Sequence, residues 1–189
     1  MTRALFIIDV QNDVTEGGAL GVEGGAAVAA RVTALLQQHP ERYAHVFASR
    51  DWHDGDNSNG GHFSAAPDFV DSWPPHCVSG TSGAEYHPAL DVSRIDVHVR
   101  KGQGEPAYSI FDGMTDDGST VVAKLDEYGI DEVDVVGIAT DYCVRASALG
   151  VVAAGRATRV LVDLVAGVAP GSSAAALAEM EAAGVEVVR

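Results

Sequence analysis

Residues 132–145 read EVDVVGIATDYCVR, and this stretch decides the fold. Its first half, 132–138, is mostly β-branched, too short for a helix and entered just after Gly129, the pattern of a buried strand. Beyond the turn, Val144, Ala148, Val151 and Val152 fall at i, i+4, i+7 and i+8, one face of a helix. Thr140 or Asp141 stands where an N-cap is needed, which puts Cys143 in the first helical turn. Unpaired backbone N–H groups and the positive end of the helix dipole there favour thiolate over thiol. An average cysteine is a small apolar residue packed under a helix. At a strand–turn–helix junction it lies on the rim of a sheet instead, and a nucleophile is expected.

Working outward, the same alternation repeats. Residues 4–8 (ALFII) are apolar without alternation, as in a central parallel strand covered on both faces, and end on Asp9. A helix is expected from Gly25 to about Gln38, with Val28, Val32, Leu35 and Leu36 buried and Pro40 just beyond. Further strands are expected at 44–49, 95–100, 158–162 and 185–188. The 95–100 strand (IDVHVR) alternates strictly, which suits a sheet edge, and is closed by Lys101. Ser119 is placed to cap a helix carrying Val121, Leu125 and Tyr128, and an alanine-rich helix covers 172–183. The glycine-rich segment 17–25 lacks the G-x-G-x-x-G spacing and reads as a mobile loop rather than a phosphate cradle. Alternating strands and helices predict a three-layer α/β/α fold: a doubly wound, six-stranded, mainly parallel sheet in the order 3-2-1-4-5-6. Strands 1 and 4 are then neighbours, and ligands bind in the crevice between them. Asp9, Lys101 and Cys143 all fall at carboxyl ends of strands, on that rim.

The 189 residues suit one domain with a full core, and no linker or internal repeat divides them. At 47% hydrophobic the chain is globular, and a net charge of −15 argues against nucleic acid and anionic membranes. Two cysteines make no disulfide framework, the first apolar run is too short for a signal peptide, and nothing approaches a membrane span. A cytoplasmic protein acting on a small molecule is expected, with its oligomeric state open.

Between the second and third strands lie more than forty residues with little periodicity, rich in proline, glycine and aromatic side chains. Such loops are usually functional. This one carries Asp51-Trp52-His53, then His62, then Trp73-Pro74-Pro75-His76. Along a continuing strand, residues 51 and 53 point the same way, so an Asp oxygen and a His nitrogen can share one ion. With His62 and His76 added, the set suits a divalent zinc, iron or manganese ion.

Five segments taken in order carry a resemblance: 6–13 (FIIDVQND), 51–53 (DWH), 73–81 (WPPHCVSGT), 100–102 (RKG) and 137–144 (GIATDYCV). Together they resemble the nicotinamidase branch of the isochorismatase-like cysteine hydrolases, over nearly the whole chain. The resemblance implies Cys143 as nucleophile, Asp9 as its base and Lys101 beside them, with one divalent metal on Asp51, His53, His62 and His76. It implies an oxyanion hole from the N–H groups of Ala139 and Cys143, and a cis peptide at Ile138-Ala139. Trp73, Tyr108, Ile138 and Tyr142 would wall the substrate pocket. Val14 stands where many such enzymes carry an aromatic, and would loosen one side. The implied activity is hydrolysis of nicotinamide, and of pyrazinamide, to the acid and ammonia through a thioester. Val14 keeps a second reading open, the same chemistry on another small amide or carbamoyl compound. A non-catalytic metal- or ligand-binding module is the third, against which the intact Asp9, Lys101 and Cys143 set speaks.

Overall fold

The structure, a computed structural model, describes residues 1–189. Its strands are β1 (Arg3–Ile8), β2 (His45–Asp51), β3 (Val97–Lys101), β4 (Met114–Thr115), β5 (Glu132–Ile138), β6 (Ala157–Ala166) and β7 (Glu186–Val188). They form one sheet in the order β4-β3-β2-β1-β5-β6-β7. The helices are α1 (Gly25–Gln38), α2 (Val121–Glu127), α3 (Arg145–Ala153) and α4 (Pro170–Ala182). None is long and apolar enough to cross a membrane.

Without β4 the order is the expected 3-2-1-4-5-6. The sheet has seven strands rather than six because Met114 and Thr115 pair antiparallel with Arg100 and Val99. Two residues have no periodicity to read, and they cover the edge that β3 was expected to form.

The unbroken apolar run of β1 has its cause in the layers. Phe6 and Ile8 pack on one face with Phe47, Leu125, Val133, Ala148, Val151 and Met180, under α2, α3 and α4. Leu5 and Ile7 pack on the other with Val28, Val32 and Leu36 of α1. Each such side chain contributes roughly 1.5–3 kcal/mol on full burial. At the switch point Gly137 takes φ 119°, and a Cβ there would stand 2.2 Å from the Ile8 carbonyl oxygen. Glycine therefore lets β1 and β5 close up where Asp9 and Ala139 leave the sheet.

Two caps differ from expectation. Thr120, not Ser119, caps α2, its hydroxyl accepting from the Ala123 N–H. After β5, residues Thr140–Val144 wind as one wide π turn with Ala139 at its start, and the Val144 N–H donates to the Ala139 carbonyl at 3.0 Å. Neither Thr140 nor Asp141 is that cap. The buried Asp141 carboxylate instead accepts from the Val168 N–H (3.0 Å), the Ala169 N–H (3.3 Å) and the Ser172 hydroxyl (2.6 Å). It ties the loop before α4 to the turn that carries Cys143.

Candidate active site

Asp9 follows β1, Asp51 ends β2, Lys101 ends β3 and Cys143 lies in the turn after β5, so all four meet at the carboxyl end of the sheet. Asp9 takes φ 46°, in the left-handed region that aspartate tolerates better than most residues. Lys101 is fully buried, with Nζ 2.9 Å from Asp9 Oδ2, in contact with Asp51 Oδ1, and 3.7 Å from Cys143 Sγ. A carboxylate oxygen of Asp9, one of Asp51 and the sulfur all lie within 4.8 Å of one another. A lysine with no water around it keeps its charge only beside anions, and two are supplied. They outweigh burial and hold its pKa well above the ordinary value.

Burial raises the Asp9 pKa, reinforced by Asp51 and opposed by Lys101 and by the Ser49 hydroxyl, which donates to Oδ1 at 2.7 Å. At Asp51 burial acts upward too, but the Lys101 ammonium prevails and the pKa falls. Burial pushes the Cys143 thiol well above its usual range, with Lys101 opposing and the carboxylates adding to the rise. That direction runs against the thiolate expected at a helix start: burial and two neighbouring carboxyl groups oppose it. The sulfur stands beside the Asp9 carboxyl group.

The long loop folds over this rim. His53, His62 and His76 are all buried, and one nitrogen from each lies within 4.8 Å of the others. His53 Nδ1 lies 2.8 Å from the Gly102 carbonyl and His76 Nδ1 2.8 Å from the Pro74 carbonyl. Both carbonyls need an N–H there, so each Nε2 presents a lone pair, 3.8 Å from Asp51 Oδ2. Lone pairs facing a carboxylate repel unless a cation stands among them. His53 Nε2 and His62 Nδ1 are buried without a partner. Burial and the neighbouring imidazoles lower His62 to a pKa of about 4, and burial lowers His76 as well, which leaves neutral donors. Asp51 with these three imidazoles fits a divalent metal ion.

Sequence reasoning missed what holds this loop. Gln11 is buried; its amide donates to the Asp51 (2.9 Å) and Ala84 (2.8 Å) carbonyls and accepts from the Asp51 N–H (2.9 Å). The Asp13 carboxylate accepts from the Cys77 N–H at 2.8 Å, beside His76. A polar run straight after an inner strand was the available signal. Gly102 takes φ 84°, and a Cβ on it would stand 2.4 Å from the His53 ring, so only glycine seats that imidazole.

A pocket of about 330 Å³ opens above Asp9 and Cys143, and Val14, Trp73, Tyr108, Ile138 and Tyr142 all line it. Trp73 meets Tyr142 edge-on at 5.0 Å, and its indole N–H donates to the Tyr108 hydroxyl at 3.2 Å. The Ile138–Ala139 peptide is cis, and the Ala139 N–H donates to no acceptor in the protein. The pocket also takes in Leu20, Val22, Phe69 and Val168, which sequence did not mark.

A buried acid–amine pair beside a cysteine that opens into an aromatic pocket, next to a nitrogen and oxygen donor set, defines a cysteine-hydrolase type of site. The chain belongs to the isochorismatase-domain family, whose pattern matches residues 3–189. It is 52% identical over 186 residues to the nicotinamidase/pyrazinamidase of Mycobacterium tuberculosis, covering 98% of each chain. Among solved structures it is similar to the pyrazinamidase of Pyrococcus horikoshii in complex with zinc, with a TM-score of 0.84 and 34% identity over 100% of this chain and 99% of that one. PnC1 from L. infantum in complex with nicotinate gives a TM-score of 0.85 at 34% identity, over 100% and 92%.

Proposed function

We propose that this chain is a nicotinamidase, one cytoplasmic hydrolase domain that converts nicotinamide, and pyrazinamide, to the carboxylic acid and ammonia. The observation that carries this is the meeting of Asp9 and Cys143 in the lining of the aromatic pocket with the buried Lys101 beside them, in a chain half identical to such an enzyme.

Asp9 takes the Cys143 proton as the sulfur attacks the carboxamide carbon. The free Ala139 N–H, with that of Cys143, receives the developing oxyanion. The carbon–nitrogen bond then breaks, Asp9 returns the proton to the departing ammonia, and a thioester remains. Water adds to it with Asp9 again as base, and collapse frees the acid and restores the thiol. Lys101 stays charged, holds the Asp9 carboxylate and offsets the negative charge that builds at the sulfur. Asp51, His53, His62 and His76 would hold a zinc, iron or manganese ion, which supplies Lewis-acid polarisation and makes water acidic. The substrate is a small neutral amide, to which the protein's negative charge is indifferent; neither nucleic acid nor a membrane is a partner in this reading.

Ammonia release from nicotinamide tests it. Wild-type protein is expected to turn over, and Cys143→Ala to lose roughly 10⁴-fold or more with an unchanged far-ultraviolet dichroism spectrum. Equal turnover by the variant would overturn the assignment.

A further inference from the structure

Where β1 ends, Asp9 leaves the sheet, and its N–H is taken by a side chain rather than by the neighbouring strand. Ile7 pairs with Ala48 at the last register position of β1 on β2, and Asp9 turns to φ 46°. The next residue of β2, Ser49, is fully buried. Its hydroxyl accepts from the Asp9 N–H at 3.3 Å and donates to Asp9 Oδ1 at 2.7 Å. A hydroxyl has a single proton to give. In Ser49 that proton is committed to Oδ1.

The other carboxyl oxygen is left open. Oδ2 stands 2.9 Å from Lys101 Nζ, yet it receives no directed hydrogen bond. The protons of that ammonium are aimed elsewhere: at Asp51 Oδ1, at the Ala107 carbonyl (3.4 Å) and at Cys143 Sγ (3.7 Å). Lys101 therefore attracts Oδ2 by charge without filling its lone pairs. One oxygen of Asp9 is occupied by Ser49, and the other lies beside the amine that also contacts the sulfur.

We propose that Ser49 is a positioning residue for the amide hydrolysis: it pins Asp9 Oδ1 and so directs the Cys143 proton to Oδ2. This rests on the amidase reading of the same site. No bond to Ser49 forms or breaks. The proton leaves sulfur for Oδ2, the sulfur bonds to the carboxamide carbon, and the proton passes from Oδ2 to the departing ammonia as the carbon–nitrogen bond breaks. Without the hydroxyl the carboxyl group turns about its Cβ–Cγ bond, and Oδ2 is less often where the sulfur can reach it. The loss falls on the proton transfer and not on binding of the amide, because Ser49 does not line the pocket.

Threonine and valine have nearly the same shape, differ in the hydroxyl and both suit a β-strand. The test measures kcat and KM for nicotinamide in Ser49→Thr, Ser49→Val and Ser49→Ala, per folded molecule. Ser49→Thr is expected within about threefold of wild type, whereas Ser49→Val and Ser49→Ala lower kcat roughly 10–100-fold with KM moved less than about threefold. Alkylation of Cys143 by iodoacetamide, followed by peptide mass, is expected to slow in the valine and alanine variants and not in the threonine one. The inference fails if valine matches threonine, if alanine matches wild type, or if the loss is carried by KM. Absence of ammonia from the wild-type protein would overturn the amidase reading itself. The alkylation rates need no turnover, and equal rates in all four proteins would still overturn the role of Ser49.

Discussion

The sheet buries charge at both ends, and the two clusters are built to opposite plans. Near the amino end, Asp134 of β5 is fully buried yet wholly partnered. Its carboxylate accepts from Arg159 Nε and a terminal nitrogen (both 2.7 Å), from the Tyr43 hydroxyl (2.7 Å) and from Arg42 (3.2 Å). At the carboxyl end, Asp9, Asp51 and Lys101 meet beside three imidazoles, and His53 and His62 each leave a nitrogen without a partner. A buried network with every lone pair satisfied ties strands together. One left incomplete is costly to maintain and persists where a ligand completes it. Incompleteness, more than charge, separates the working end from the structural one.

Substitution at the satisfied end should break stability alone. Asp134→Ala strands Arg159 and Tyr43 and is expected to cost roughly 3–5 kcal/mol in urea unfolding, with kcat/KM per folded molecule near wild type. A large kinetic loss without unfolding would erase the contrast. At the other end Lys101→Met keeps the length of the side chain and removes its charge. A fall of roughly 10²–10³-fold in kcat/KM is expected by ammonia assay, since two carboxylates then face the forming thiolate unopposed. Near-normal kinetics would make Lys101 a structural ion pair like Arg159.

Metal addition sharpens the comparison in a third way. Chelator-treated protein reloaded with zinc at about 100 times its dissociation constant should gain roughly 2.7 kcal/mol of stability, read as a rise in melting temperature. No rise with any of zinc, iron or manganese would leave the three imidazoles without a cation. The smallest effect is expected for Gly102→Ala. Its methyl group displaces the His53 ring, so zinc affinity in equilibrium dialysis should weaken roughly 10–100-fold.

Much of this was legible in one dimension. Residues 132–138 and the Gly25–Gln38 helix match their expected bounds, because each is set by local periodicity and a glycine at its boundary. Asp9, Lys101 and Cys143 could be placed on one rim because strand ends in a doubly wound sheet share a side. The two-residue β4, the structural role of Asp141 and the Gln11 clamp on Asp51 were not legible. Each depends on a partner far away in the chain, and a short polar run looks the same whether its partner is protein or water.

By itself the sequence determined the layer order, the side of the sheet on which chemistry can occur and the donor types gathered there, since these follow from side-chain spacing. Only the tertiary structure decided that two carboxyl groups and burial push the Cys143 thiol upward, that His62 joins the other imidazoles and that a glycine-rich loop becomes an apolar wall. Protonation and pocket shape are set by which groups lose their water together, and that depends on neighbours the chain brings close only after it folds.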